Sequence, residues 1–240
     1  KRCINDIVWN GDKLVAVGES SSIYASSDGF TWSDIDLNAN LYFTKVIWDG
    51  TQFIAVSDEG YIVFSRDSIE WKGYRLNENG SVGSIMKEGN KYIAVGSDQG
   101  IFINESVTNK TWQKYFEKPY SVFCDIAWSG KYFVATELNK KVVVSADGLK
   151  WTGYDTGLDE YIAKIVWDGK CFVGVGNNGS IYASIDGVNW KTKSKVQINL
   201  PQQIIWTGKH YVVVGWGGVI LTSPDLSRCT KMNSGTTNPI

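Results

Sequence analysis

The sequence predicts an all-β fold: a six-bladed β-propeller with four antiparallel strands per blade. Three observations carry that prediction. A phrase of about 40 residues recurs six times and fills the chain, as radial repeats do. Each copy holds a Gly hairpin turn between apolar runs. Most copies also hold a Ser-x-Asp-Gly-x-x-Trp loop.

The first landmark of the repeat is Trp9, Trp48, Met86, Trp128, Trp167 and Trp206, at intervals of 39, 38, 42, 39 and 39 residues. The first strand of each copy ends there, Ile4 to Trp9 in the first. Asn10-Gly11, Asp49-Gly50, Ser129-Gly130, Asp168-Gly169 and Thr207-Gly208 follow as hairpin turns, where Gly supplies a positive φ. The second strand is the run Leu14 to Gly18 or Phe53 to Ser57. Its central Ala (Ala16, Ala55, Ala94, Ala135) suits close packing of sheet on sheet. The third strand is Ile23 to Ser26 and its equivalents, and the fourth starts at the second Trp. Four antiparallel strands per unit fit a propeller blade better than a linear solenoid. The blades are expected at about 4–39, 40–78, 79–118, 119–157, 158–197 and 198–233, in one domain over 1–233. Residues 234–240 are expected to be a C-terminal tail or linker.

The second landmark is the loop between the third and fourth strands. It reads Ser26-Ser-Asp-Gly-Phe-Thr-Trp32, Ser65-Arg-Asp-Ser-Ile-Glu-Trp71, Ser145-Ala-Asp-Gly-Leu-Lys-Trp151 and Ser184-Ile-Asp-Gly-Val-Asn-Trp190. The third copy diverges between Asn104 and Trp112, with an insertion. The sixth diverges at Ser223-Pro-Asp-Leu-Ser-Arg-Cys229. Asp28, Asp67, Asp147, Asp186 and Asp225 are expected to accept backbone N–H bonds inside their own turns, as Asx turns do. The Trp should pack between blades with its indole N–H on a turn oxygen.

These loops resemble the Asp box of the bacterial neuraminidase repeat, or sialidase-like, β-propeller family. Each is one residue shorter than that family's usual Ser-x-Asp-x-Gly-x-Thr-Trp. The resemblance covers the whole chain and implies a propeller of the secreted or cell-surface kind. Sialidase catalysis in that family implies three arginines converging on a carboxylate, with a Tyr/Glu pair and a further acid, because guanidinium forks bind carboxylates bidentately. This chain has four arginines. Arg66 and Arg228 lie inside the loops, Arg2 is at the terminus and Arg75 ends a fourth strand, so the set does not assemble.

Composition narrows the function further. Twenty-four basic residues nearly cancel 25 acidic ones, so nucleic acid is not an expected partner. No apolar run approaches the ~20 residues of a spanning helix, so membrane insertion is not expected. Cys3, Cys124, Cys171 and Cys229 form no CxxC or Cys/His cluster, so no metal site is expected, and they read as free thiols. No phosphate cradle is present and no cofactor is expected. The lone His210 sits in a hairpin turn with no neighbouring nucleophile. A start at Lys1-Arg2 is the mark of a processed product or an excised domain, so a larger multidomain parent is expected.

Two groups of polar residues stand out. Three positions before the first landmark lie Asp6, Lys45, Gly83, Asp125, Lys164 and Gln203. As the innermost strand of each blade, that segment should ring a central channel with Asp–Lys pairs, which read first as structural ion pairs plugging it. The loops between the second and third strands carry Asp58, Glu59, Asp98, Gln99, Glu137, Asn177, Asn178 and Trp216. Chain direction places them on one face with the loops that join consecutive blades. Acids and amides beside one Trp suit sugar hydroxyls and an apolar sugar face. Trp216 is the one tryptophan that neither landmark explains, and glycines flank it, so it should be exposed.

The chain is thus expected to be a non-catalytic extracellular or cell-surface module that binds a glycan or protein partner on this loop face. A glycoside-cleaving enzyme with an unrecognised carboxylate pair and an assembly-factor-like scaffold are the alternatives.

Overall fold

A computed structural model describes residues 3–98, 100–116, 121–198 and 200–232. It is all-β, with the fold of a six-bladed β-propeller, and it divides into two compact units, Lys1–Tyr120 and Ser121–Ile240. In the first unit, blade 1 is β1 (Ile4–Trp9), β2 (Leu14–Gly18), β3 (Ile23–Ser26) and β4 (Ser33–Ile35). Blade 2 is β5 (Phe43–Trp48), β6 (Phe53–Ser57), β7 (Tyr61–Ser65) and β8 (Lys72–Arg75). Blade 3 is β9 (Val82–Glu88), β10 (Lys91–Gly96), β11 (Ile101–Asn104) and β12 (Gln113–Phe116). In the second unit, blade 4 is β13 (Phe123–Trp128), β14 (Phe133–Glu137), β15 (Lys141–Ser145) and β16 (Thr152–Asp155). Blade 5 is β17 (Ile162–Trp167), β18 (Phe172–Gly176), β19 (Ser180–Ser184) and β20 (Lys191–Lys195). Blade 6 is β21 (Pro201–Trp206), β22 (Tyr211–Gly215), β23 (Val219–Ser223) and β24 (Thr230–Met232). Every blade is an antiparallel meander in chain order. The tail and the two N-terminal residues lie outside the described residues, and no described helix is long and apolar enough to cross a membrane.

Strand alternation explains the packing. Successive side chains of a strand point to opposite faces. In β6, Phe53 and Ala55 join a core with Val15, Val17 and Ile23 of blade 1, while Ile54 and Val56 join one with Val82, Ile85 and Ala94 of blade 3. In β18, Phe172 faces Val134 and Val142 of blade 4, and Val173 and Val175 face Ile204 and Val213 of blade 6. The second strand is therefore apolar on both faces, which is why it reads as a continuous run.

All six first strands carry a bulge at one place, where pairing with the second strand skips Asn5, Thr44, Gly83, Cys124, Ala163 or Gln202. Register shows that blade 3 departs from the sequence alignment by one residue. Tyr92 pairs with Lys87 as Phe53 pairs with Trp48, and Val95 pairs with Ser84 as Val56 pairs with Lys45. The third landmark is thus Lys87 rather than Met86, and Ser84 rather than Gly83 corresponds to Asp6 and Lys45. A lysine at an aromatic position hid the register. Lys87 takes the place of the Trp: its ammonium lies over the Tyr92 ring, 5.4 Å from the centroid, and its Nζ donates to Asp49 O at 2.8 Å. With Lys87 in place, each landmark of the first unit lies 119 residues before its counterpart in the second.

The loops between third and fourth strands build the turns that the residue types imply. Asp28 Oδ1 accepts the N–H groups of Phe30 and Thr31, both at 2.8 Å. Asp67, Asp147 and Asp186 accept the equivalent pairs. The preceding Ser donates to that Asp in all four loops and accepts the next-but-two N–H in three of them. The indole N–H of Trp32, Trp71, Trp151 and Trp190 donates to the carbonyl three residues before it. That carbonyl residue has positive φ: Gly29 75°, Gly148 76°, Gly187 77° and, without a glycine's freedom, Ser68 66°. In blade 3, Trp112 reaches across to Tyr74 Oη of blade 2 at 2.7 Å instead. In blade 6, Asp225 Oδ1 accepts the N–H and the hydroxyl of Ser227.

Polar bonds stitch first strands together inside each unit. Asp6 Oδ2 accepts Val46 N–H at 3.0 Å and pairs with Lys45 Nζ at 3.4 Å. Asn5 Nδ2 donates to Phe43 O at 2.7 Å, and Thr44 Oγ1 to Val82 O at 2.8 Å. Asp125 Oδ2 accepts Ile165 N–H at 3.0 Å, repeating the Asp6 bond. Lys164 and Gln203 are half-buried, and Gln203 Oε1 accepts Ile204 N–H. Between hairpin turns, Tyr92 donates to Asp49 Oδ2 at 2.5 Å, and Tyr211 donates to Asp168. Burial alone would raise the Asp49 carboxyl, but hydrogen bonds from Tyr92, Thr51 and Gln52 outweigh it and hold it at about 2.

Three outcomes follow. Trp190, 8% exposed, should cost about 3–5 kcal/mol when replaced by Ala, and the more exposed Trp32 should cost clearly less. Urea denaturation of both variants measures this, and equal losses would mean that burial does not set the cost. Lys45→Met alone should destabilise more than Asp6→Asn with Lys45→Met, by at least about 1 kcal/mol, because the single change leaves Asp6 without its cation. Additive effects in that cycle would show the pair to be uncoupled. The lowered Asp49 carboxyl adds stability that is present above its unfolded value near 4 and lost as pH falls toward 2. Asp49→Asn should flatten the fall of the urea midpoint over that window; parallel curves for variant and wild type would exclude the linkage.

Candidate functional site

In four blades, backbone hydrogen bonds join the loop between second and third strands to the segment that leaves the same blade, and in blade 3 the bond runs to the segment that enters it. Ser21 N donates to Leu41 O, Leu76 N to Gly60 O, Thr156 N to Lys140 O and Val196 N to Gly179 O. In blade 3, Ser97 N donates to Ser81 O. The loop face read from chain direction is therefore built locally, blade by blade.

On that face of the second unit, a cavity of about 720 Å³ lies between blades 5 and 6. Asn178, Lys195, Val196, Gln197, Ile198, Trp216 and Val219 line it. It brings together two of the residues singled out from the sequence, Trp216 and Asn178. Trp216 is 52% exposed. Gly217 and Gly218, both with positive φ, carry the loop past it without side-chain bulk. Asn178 is exposed, and its backbone N–H is held by Glu160. Glu160 also accepts Ser180 N–H at 3.3 Å, so one carboxylate braces this loop from below. Lys195 and Gln197 come from the end of β20 and the segment after it. The sequence carried no signal for them, because their role depends on which blade stands beside them. Chemically the cavity offers an indole face, amides that donate and accept, and one ammonium donor. That suits a neutral or anionic polar ligand with an apolar surface of its own.

The other loop residues are spread among blades. Asn177 accepts the Tyr161 hydroxyl at 2.8 Å. Asp98 is half-buried with φ 53°, and its carbonyl accepts Lys114 Nζ. Gln99 lies outside the described residues. Both Glu59 oxygens accept Tyr42 N–H, at 2.8 and 3.1 Å. Asp58 is exposed as a residue, but partial withdrawal of its carboxyl from water, and then the Glu59 charge, push that carboxyl up. Glu137 is 1% exposed, and its Oε1 meets no partner among the described residues. By register it stands where other blades have Gly18, Ser57, Gly96, Gly176 and Gly215. Blade 5 shows what that position excludes: a Cβ on Gly176 would fall 2.6 Å from the Glu160 carboxyl carbon.

His210 is an exposed turn residue. The four cysteines are unpaired, and burial pushes the Cys124 thiol up to about 12.

No protein-family model matches the chain, and no curated protein matches it. Solved structures do. A structure described as YCF48 bound to D1 peptide superposes with a TM-score of 0.75 at 18% identity, over 96% of this chain and 81% of that one. PorZ, a bacterial surface component of the type-IX secretion system of Porphyromonas gingivalis, gives 0.69 at 10% identity, over 96% of this chain and 33% of its own. The computationally designed Ika8 protein gives 0.68 at 10% identity, over 100% and 89%. At these identities the likeness is one of fold: the chain is similar in architecture to proteins of quite different origin, a designed one included.

Proposed function

We propose that this chain is a non-catalytic binding module, an Asp-box propeller of the extracellular or cell-surface kind, which takes a glycan or protein partner on the loop face at Trp216. The observation that carries the reading is the half-exposed indole on a 720 Å³ cavity with Asn178, Lys195 and Gln197 around it. Exposed aromatic surface of that kind serves contact rather than folding. Two of the solved neighbours support an interaction role: one is described with a bound peptide, the other as a surface component. The hydrogen-bonding of the Ser, Asp and Trp loops supports the Asp-box assignment. Asp6, Lys45, Asp125, Lys164 and Gln203 are read as the lining of the central channel, with a structural task.

The enzymatic alternative has one observation in its favour, the raised Asp58 carboxyl next to Glu59. Both Glu59 oxygens face the Tyr42 amide, which supports a backbone-bracing task for that carboxylate.

Trp216→Ala should leave the melting temperature nearly unchanged and weaken binding about tenfold or more, the scale of an aromatic hot spot. A glycan array and a peptide array probed with both forms of the purified chain measure it. Undiminished binding by the variant to every glycan and peptide that the wild type captures, or a melt several degrees lower, would assign Trp216 a structural role and overturn the reading.

A further inference from the structure

A second cavity, of about 490 Å³, lies on blade 5 away from Trp216, beside the Ser184 to Trp190 loop. Its floor is Cys171 and Ala183, its rim holds Ile185, and Lys170, Lys191 and Lys193 surround it. Ile185 is 80% exposed. The one acid present, Asp186, accepts hydrogen bonds from Ser184, Val188 and both nitrogens of Asn189, so it is engaged within its own turn.

The same repeat position in blade 2 provides an internal comparison. A cavity of about 450 Å³ there is lined by Gln52, Phe64, Arg66, Asp67, Glu70 and Lys72, among others. Each of these lies 119 residues before its blade 5 counterpart. The repeat builds the hollow in both places, and the side chains differentiate them. In blade 2, two cations face two acids. In blade 5, Glu70 is replaced by Asn189, Arg66 by Ile185, Gln52 by Cys171 and Phe64 by the small Ala183, while Lys170 and Lys193 are added. The result is more apolar and strongly cationic.

Lys193 arrives by a backbone device. In blade 2 the outer strand pairs evenly, Ile62 with Tyr74 and Val63 with Gly73. In blade 5, Ile181 pairs with Ser194 and Tyr182 with Thr192, so Lys193 is an extra, bulged residue. Bulges at sheet edges re-aim side chains, and this one adds Lys193 to Lys191 on the cavity rim. Lysines on an edge strand also deter strand-to-strand aggregation. That need does not explain three of them on β20, because the equally exposed β16, Thr152–Asp155, carries none.

We propose that Lys191 and Lys193 of β20 and this cavity form a docking site for an acidic, extended peptide segment, separate from the Trp216 cavity that Lys195 lines at the other end of the strand. The segment lies along the outer edge of β20 and offers its backbone to the unpaired edge groups, as in strand addition. Its carboxylates meet Lys170, Lys191 and Lys193, and one apolar side chain enters over Cys171 and Ala183 against Ile185. The charge complementarity selects the acid, and the apolar floor selects a peptide with alternating character over a uniformly charged chain.

The probe is a fluorescein-labelled peptide alternating Glu and Val, followed by anisotropy, with a Lys–Val peptide and heparin as comparisons. The wild type should bind the acidic peptide in a salt-sensitive manner and not the basic one. Lys191→Glu with Lys193→Glu should weaken binding at least about tenfold, Lys191→Gln with Lys193→Gln by less, and Ile185→Ser about threefold, while Trp216→Ala leaves it unchanged. All are exposed positions, and circular dichroism with a thermal melt shows whether each variant is folded. Four results would overturn the proposal: no binding by the wild type, equal binding by the Glu and Gln double variants, loss in Trp216→Ala, or heparin displacing the peptide with no effect of Ile185→Ser. The last would assign the site to a sulfated glycan.

Discussion

A four-stranded sheet with apolar residues on both faces cannot stand alone in water, and that constraint organises the chain. Phe53 and Ile54 are adjacent in sequence, yet they belong to different cores because a strand alternates its sides. The middle blade of each unit thus depends on two neighbours. The small residues in the second strand follow from the same demand: Gly174 is present because a Cβ there would stand 2.6 Å from the Ile162 side chain. The Ser, Asp and Trp loops are a consequence too. They close the third strand onto the fourth in a turn that satisfies its own amides, so the aromatic that covers the blade's edge needs no outside partner for its indole.

Carboxylates on the loop face serve the backbone before anything else. Glu59 and Glu160 each accept amides that the loops leave unpaired. A charge-assisted bond of this kind fixes a loop that backbone partners alone leave open. Acid-rich loops in a repeat protein therefore say little about catalysis until those bonds are counted. Trp216 and the lysines of β20 differ, because the fold around them is satisfied without them.

The fold was legible because its signals are periodic and redundant. Six copies, each with a Gly hairpin turn, outvote any divergent one. The single-residue error in blade 3 shows where redundancy fails: Lys87 sets its ammonium over the Tyr92 ring where other blades set a tryptophan, and a reading by hydrophobicity passes over it for Met86. The exposure of Trp216 could be read from its glycine neighbours. The residues that complete its cavity, Lys195 and Gln197, could not, since they are contributed by another blade and look like ordinary strand-end polar residues. The β20 site was hidden for a different reason. It depends on a bulge, and a bulge is visible only in the register of strand pairs.

The constant offset of 119 residues between the two units bears on stoichiometry. A chain made of two like halves presents every surface feature twice, so a faithful duplicate would have a valence of two for whatever it held. Here the parts that fold the chain stayed alike: Asp6 and Asp125 accept the same amide, and Tyr92 and Tyr211 seek the same carboxylate. The cavities beside Asp67 and Asp186 did not. A neutral hollow in one half and a cationic one in the other make two copies of one repeat position unequal, so an acidic ligand would meet one such site in the chain and not two.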